Sequence, residues 1–309
     1  MASIALATAI AVTGHDPDMP PLLAACARVG LDAQMLAWDD PSVGWNRFDL
    51  VLLRSTWDYT LRRPDFLAWC ERVDRVTTLS NPLPVVRWNT DKHYLADLAI
   101  AGLAVIPATF VEPDAEPMPA LQSFLSATDH DEGFVIKPAV GAGARDAQRY
   151  AGRQEVAAAG HLARLLDAGR SALLQPYLGT VDHEGETALV YIDGAFSHAL
   201  RKGPLLTDGS TDGAPSAAET ITPRPATPPE RALAQQALAF AQRRFALDRP
   251  FAYARVDLIA GRDGAPRLLE LELTEPSLFL EHAPGAADRL AASLAARLDA
   301  DSRHGRPSR

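Results

Sequence analysis

Two stretches decide how this chain is read: FAYARVDLIA at 251–260 and RLLELEL at 267–273. Each sends successive side chains to opposite faces, as a strand does, and together they read as an antiparallel pair. Arg255 and Asp257 are two residues apart and share a face; Glu270 and Glu272 do the same on the partner strand. Three carboxylates and a guanidinium therefore converge on one side of a sheet. Such a group facing a core is intolerable unless neutralised, and a divalent cation is the simplest neutraliser. Oxygen ligands without His or Cys point to Mg²⁺ or Mn²⁺. An exposed face of ordinary ion pairs is the alternative. Against it, Val256, Leu258, Leu269, Leu271 and Leu273 fill the opposite face, so the acidic side is patterned.

Magnesium held by two or three carboxylates usually comes with substrate phosphates, and the chain offers groups to meet them. Lys137 ends a strand over 133–138, followed by the small-residue loop Gly141-Ala142-Gly143-Ala144. Backbone N–H groups in such a loop can approach phosphate oxygens, although a simple turn is an equal reading. The loop matches neither the Walker pattern nor the dinucleotide pattern, because position 146 is Asp. The cations are also informative. Lys92, Lys137 and Lys202 are the three lysines among 30 basic residues. Where Arg is the default cation, a Lys hints that a compact point charge is wanted.

Working outward, residues 1–88 alternate strands and helices, which implies a parallel sheet with crossovers. Ligands in such sheets sit beyond the carboxyl ends of the strands. The loop after Leu53 carries Arg54, Ser55, Thr56, Trp57, Asp58 and Tyr59 and suits a small zwitterion, with Arg54 gripping a carboxylate. A surface loop with a capping Asp and a packed Trp is the alternative. Further on, Asp193-Gly194 joins two strands as a hairpin. Glu112–Pro119 reads as a Pro-rich acidic connector, Ala286–Leu298 as a final helix, and the long polar loop over 203–229 as a lid or binding loop.

Composition bounds the rest. A chain of 309 residues holds about two domains of ordinary size. With 47% hydrophobic and 22% charged residues it is globular, and a net charge of −9 excludes a general nucleic-acid binder. Cys26 and Cys70 support neither a disulfide framework nor a Cys-rich zinc site. No apolar run approaches the ~18 residues of a membrane span. The apolar run Ile4–Val12 has no Lys or Arg before Arg28, so it is expected to be a buried strand rather than a secretion signal, with a cytoplasmic location by default.

The second two-thirds of the chain resembles the ATP-grasp fold of carboxylate–amine ligases. The elements that carry the resemblance occur in order: Lys92, Val-Ile-Lys137-Pro, the small-residue loop, Leu-Leu-Gln175-Pro176-Tyr177-Leu178, Gly185-Glu186, Arg201-Lys202, Ala-Arg255-Val-Asp257 and Leu-Glu270-Leu-Glu272. The resemblance implies an N-terminal parallel-sheet α/β domain over 1–88 and two α+β subdomains that clamp ATP. These would be a small one over 89–180 and a large metal-binding one over 181–300, before a disordered tail over 301–309. It implies that Lys92, Lys137, Gly141 and Gly143 contact the phosphates of ATP. Gln175, Pro176, Tyr177 and Leu178 would meet the adenine, and Glu186 the ribose or the metal. Asp257, Glu270 and Glu272 would bind two Mg²⁺ ions, and Arg201, Lys202 and Arg255 would be catalytic.

The implied reaction activates a carboxylate as an acyl phosphate for attack by a nitrogen nucleophile. In two places the chain departs from the family. Glu272 stands where Asn is usual, and Glu186-Thr187-Ala188 lacks the Arg of glutathione synthetase-like enzymes. The R-S-T-W-D-Y loop is similar to a small-molecule branch in which one molecule supplies both carboxylate and nitrogen, closing O-ureido-serine to cycloserine. An intermolecular amino acid or peptide ligase, a non-catalytic ATP-binding module and a kinase on this fold are the alternatives. The expected partner is an amino-acid-like small molecule, with no nucleic acid or membrane, and a homodimer is the default assembly.

Overall fold

The apolar run Leu50-Val51-Leu52-Leu53 is buried along its whole length, as a strand covered on both faces must be. In the computed structural model, which describes residues 1–206 and 219–303, it lies in the middle of the first sheet. The opening elements are β1 (Ser3–Thr8), α1 (Met19–Arg28), β2 (Asp32–Ala37), β3 (Leu50–Ser55), α2 (Arg63–Val76) and β4 (Thr78–Ser80). The strands are parallel in the order β2-β1-β3-β4. Phe66, Trp69, Cys70 and Val73 of α2 cover the face that carries Val51 and Leu53. Of the opening apolar run, Ser3–Thr8 is an interior strand, whereas Ile10–Val12 turns away as a short 3₁₀ helix with Ile10 exposed.

Two short helices, α3 (Leu83–Asn89) and α4 (Tyr94–Ile100), lead to the second sheet. There follow β5 (Thr109–Val111), α5 (Pro117–Ala127), β6 (Phe134–Pro138), β7 (Gln148–Tyr150), α6 (Glu155–Asp167) and β8 (Ala172–Pro176). This sheet is antiparallel, in the order β5-β8-β6-β7. Leu121 and Phe124 of α5 and Leu162, Leu165 and Leu166 of α6 close one face over Phe134, Ile136 and Leu174. The expected connector over 112–119 is corrected here: Pro117 begins α5, where a missing N–H is no loss because a first-turn donor has no helical acceptor.

The remainder is α7 (Thr180–Glu184), β9 (Glu186–Ile192), β10 (Ala195–Lys202), β11 (Ile221–Pro223), α8 (Pro228–Arg244), β12 (Tyr253–Ala260), β13 (Pro266–Glu272) and α9 (Ala286–Arg303). The third sheet runs β11-β10-β9-β12-β13, antiparallel throughout. Asp193 and Gly194, at φ 51° and 75°, make the tight β9–β10 turn that Asp-Gly favours. Thr227 and Glu230 open α8 with a reciprocal capping box. Its Leu233, Ala237 and Leu238 pack on Val256, Leu258 and Leu271.

The β12–β13 ladder has a bulge, Asp257 pairing with Glu270 but Leu258 with Leu268. This turns Leu269 toward the cavity and corrects its expected place on the apolar face. Helix α9 continues to Arg303, so 301–303 of the expected disordered tail are helical; 304–309 lie outside the described residues, as do 207–218 of the expected lid. Leu290, Leu294 and Leu298 of α9 reach back to Ile4, Leu6 and Leu22, in one core with Val190, Ile192 and Tyr253. The first and third sheets are therefore fused; the second has a core of its own on the α5–α6 side and sends Leu173 of β8 into the core of the third.

Candidate active site

The three sheets meet around a cavity of about 480 Å³. Alternation along β12 and β13 brings Arg255, Glu270 and Glu272 to its floor, with Asp257 buried beside them, and Lys92, Lys137 and Lys202 approach from three different parts of the chain. Carboxylate oxygens of Asp257, Glu270 and Glu272 lie within 4.8 Å of one another, so one cation can touch all three. An all-carboxylate donor set fits Mg²⁺ or Mn²⁺.

Basic groups interleave with these acids. Lys92 lies 2.9 Å from Glu270, and Lys202 lies 3.0 Å from Asp257 and 2.8 Å from Glu186. Arg255 Nε donates to Asp257 at 2.9 Å, its Nη2 pairs with Glu272, and its Nη1 donates to the Ser277 carbonyl at 3.0 Å. Burial opposes the charge on Lys202, but Asp257 and Glu186 hold its pKa well above the ordinary lysine value. Burial pushes Glu272 up to about 8, against the pull of Arg255. That carboxyl therefore gains most from an arriving cation.

Lys137 differs from its neighbours. Among the described residues no carboxylate pairs with it, and burial lowers its pKa to about 8. It stands near the end of β6, which leads into the small-residue loop, where Gly143, Ala144 and Asp146 all have φ near +60°. A Cβ at Gly141 would meet Pro138 at 3.0 Å, so the loop is closely folded there. Lys92 holds it by donating to the Gly141 carbonyl at 2.8 Å. Gln175, Pro176, Tyr177 and Leu178 line the same cavity along β8 and its exit, and Glu186 lies at the start of β9.

Several expected site residues lie elsewhere. Arg54 belongs to β3, on the same face as Leu50 and Leu52, which is the face packed against α1 and the third sheet. Its buried guanidinium pairs with Asp18 at 3.1 Å and does not line the cavity. Ser55 Oγ donates to Thr8 at 2.9 Å, Thr56 is buried, and Asp58 accepts from Trp38 at 2.8 Å and pairs with Arg62. Of that loop, Trp57 and Tyr59 reach the cavity. Arg201 is the other correction. Neighbours in a strand face opposite ways, so Lys202 points in and Arg201 out, where it donates to the carbonyls of His183 at 2.8 Å and Glu184 at 2.6 Å.

The structure also adds residues. Asn89 lines the cavity and braces β13, donating to the Leu271 carbonyl at 2.7 Å and accepting from Leu273 N at 2.6 Å. Glu219 lies 3.6 Å from Lys202, and burial raises its pKa. Glu275 is 9% exposed on the cavity wall; its backbone carbonyl accepts from Trp57 Nε1 at 3.0 Å, and the nearby Tyr59 hydroxyl draws its pKa down against the effect of burial. Asn89 stood in the sequence three residues before Lys92, at a helix boundary. Glu219 and Glu275 lie outside any strand pattern and carried no signal.

Residues 4–81 match the family model described as the N-terminal domain of the D-cycloserine synthetase DcsG. The chain is 44% identical over 298 residues to the cycloserine biosynthesis protein DcsG of Streptomyces lavendulae, covering 96% of this chain and 99% of that one. It superposes on the crystal structure of D-cycloserine synthetase DcsG with a TM-score of 0.91, at 44% identity and with 96% and 99% of the two chains covered. A D-alanine–D-alanine ligase from Bacillus anthracis shares the fold, with a TM-score of 0.63 at 13% identity over 98% of this chain and 99% of that one.

Proposed function

This chain belongs to the family of the D-cycloserine synthetases, ATP-grasp ligases that form a C–N bond with Mg-ATP, and from that premise we infer that it closes O-ureido-D-serine to D-cycloserine. The observation that carries this reading is the charge order of the cavity. Lysines and carboxylates are paired on the floor, while Lys137 faces the cavity without an acidic partner among the described residues. A polyphosphate is the anion that such a site lacks.

The residues divide the work. Lys137 and Lys92 hold the phosphates, with the Gly141–Gly143 loop over them. Gln175 to Leu178 receive the adenine and Glu186 the ribose side. Asp257, Glu270 and Glu272 would hold two Mg²⁺ ions, which when bound would offset the negative charge of the transferring phosphoryl group. Arg255 and Lys202 sit beside them and stabilise the same charge. The substrate carboxylate takes the γ-phosphoryl group and ADP leaves. The oxygen-bound nitrogen of the ureido group then attacks the acyl carbon, expelling phosphate and closing a five-membered ring. Water must finally take the carbamoyl group from that nitrogen for cycloserine to be released. A homodimer and a cytoplasmic setting complete the reading.

The test is ADP and phosphate release from Mg-ATP with both enantiomers of O-ureido-serine, then with amino acids and dipeptides alongside amine acceptors. Release that depends on O-ureido-D-serine alone, with cycloserine in the product, is expected. Release only when an acid and a separate amine are both present would replace ring closure with intermolecular ligation.

A further inference from the structure

The cavity's acids are not all accounted for by metal and lysine. Glu270, Asp257, Glu186 and Glu219 each have a lysine within 3.6 Å, and Glu272 has Arg255. Glu275 is the exception. It is 9% exposed, lines the cavity, and among the described residues forms no ion pair with Lys, Arg or His. Its neighbours come from the first domain: the Trp57 indole donates to its backbone carbonyl at 3.0 Å, and Tyr59 lines the same cavity with it. A buried carboxyl without an ion-pair partner is poorly compensated, and burial pushes its pKa up to about 7. A hard metal ion would want more oxygens than this corner offers. An organic ammonium wants one carboxylate and aromatic walls, and Trp57 and Tyr59 supply those walls.

We propose that Glu275, positioned by Trp57 and Tyr59, receives the α-ammonium group of the amino-acid substrate. The proposal rests on the reading of this cavity as an amino-acid ligase site. It gives the enzyme a means of selecting α-amino acids, because a carboxylic acid without the amine would leave Glu275 buried and uncompensated. The wall that carries it leads on to Ser277, whose carbonyl accepts from Arg255 of β12 at 3.0 Å, so the ammonium corner lies on the segment that braces that arginine.

The experiment compares O-ureido-D-serine with 3-(ureidooxy)propanoic acid, the same molecule with hydrogen in place of the amine, in wild type, Glu275→Gln, Glu275→Asp and Tyr59→Phe. Wild type is expected to favour the amino acid by about 100-fold in kcat/KM. Glu275→Gln should raise the KM for O-ureido-D-serine and shrink that preference by about tenfold or more, leaving the KM for ATP unchanged. Glu275→Asp keeps the charge and should keep the preference with a higher KM; it decides the matter if the Gln variant does not fold. A Gln variant that discriminates as wild type does would overturn the proposal while leaving the ligase reading intact. Equal losses of kcat on both compounds would also overturn it, by assigning Glu275 to proton transfer. Wild type that turns over neither compound would strike at the underlying reading instead.

Discussion

Lys137 concentrates the residue-scale consequences. Its pKa is depressed to about 8 by burial, and a bound polyphosphate restores the charge. ATP affinity should therefore be at full strength below pH 8 and fall by up to about tenfold per unit above it, until the raised pKa of the complex is reached. Lys137→Arg, which does not titrate in this range, should flatten that limb of the KM profile for ATP. A profile equally steep in both proteins would remove Lys137 from the phosphate site. Asp257 calls for a different substitution. It is tied to both Arg255 and Lys202. Alanine would strand two buried cations at a cost of about 3–5 kcal/mol. Asp257→Asn keeps the volume and should cut turnover by about 10³-fold or more with the fold intact by circular dichroism; normal turnover would dismiss the metal triad.

The triad was legible in the sequence because carboxylates two apart on paired strands share a face whatever surrounds them. The same rule, applied to Arg201-Lys202, would have separated them, since adjacent residues cannot both face one cavity. Arg54 and Asp18 are 36 positions apart, and Glu275 meets Tyr59 and Trp57 across more than two hundred; no local pattern carries such pairs.

At the scale of elements, two attachments decide what the site residues can do. Arg201 closes the end of α7 through the carbonyls of His183 and Glu184. Arg201→Ala should consequently cost about 1 kcal/mol of stability in chemical denaturation and leave kcat within about threefold, an RT-scale change; a large loss of kcat with unchanged stability would return it to the catalytic set. Asp18, just before α1, accepts three backbone N–H groups, from Leu278 at 2.5 Å, Phe279 at 3.2 Å and Leu280 at 2.6 Å. It also pairs with Arg54 beneath them. The segment so gripped includes Phe279, at φ +52°, whose ring lies 5.4 Å from the Arg255 guanidinium. Asp18→Ala leaves Arg54 buried and alone and is expected to destabilise the protein by about 3–5 kcal/mol in urea titration. A loss under about 1 kcal/mol would mean the pair is replaceable. Strands and helices of this kind were readable from periodicity. The boundary of α5 was not, because Pro and Glu together imitate a connector, whereas Pro at a first turn starts a helix.

The whole molecule is two bodies around one cavity. The first and third sheets share a core with α1 and α9, and the second sheet has a separate core under α5 and α6. Closure on nucleotide should accordingly displace the second sheet alone. In hydrogen exchange, Mg-ATP should raise protection over 139–147 and 175–181 and leave β1, β3 and α9 unchanged; new protection spread evenly over all three sheets would contradict a single moving jaw. The division 1–88, 89–180, 181–300 drawn from motifs did not anticipate the fusion, because a core shared by residues 4 and 290 leaves no trace in local pattern.

That fusion has a consequence for biosynthesis. A ribosome delivers β1 long before α9, with some 280 residues between Ile4 and Leu290, which share the finished core. Until α9 is made, the core that Ile4, Leu6 and Leu22 share with it is open on one side, and the nascent chain carries that apolar surface. A premature stop near 285 would yield an insoluble fragment rather than a shorter ligase, and a fusion partner placed after Arg303 would arrive at the very moment the first strands are finally buried.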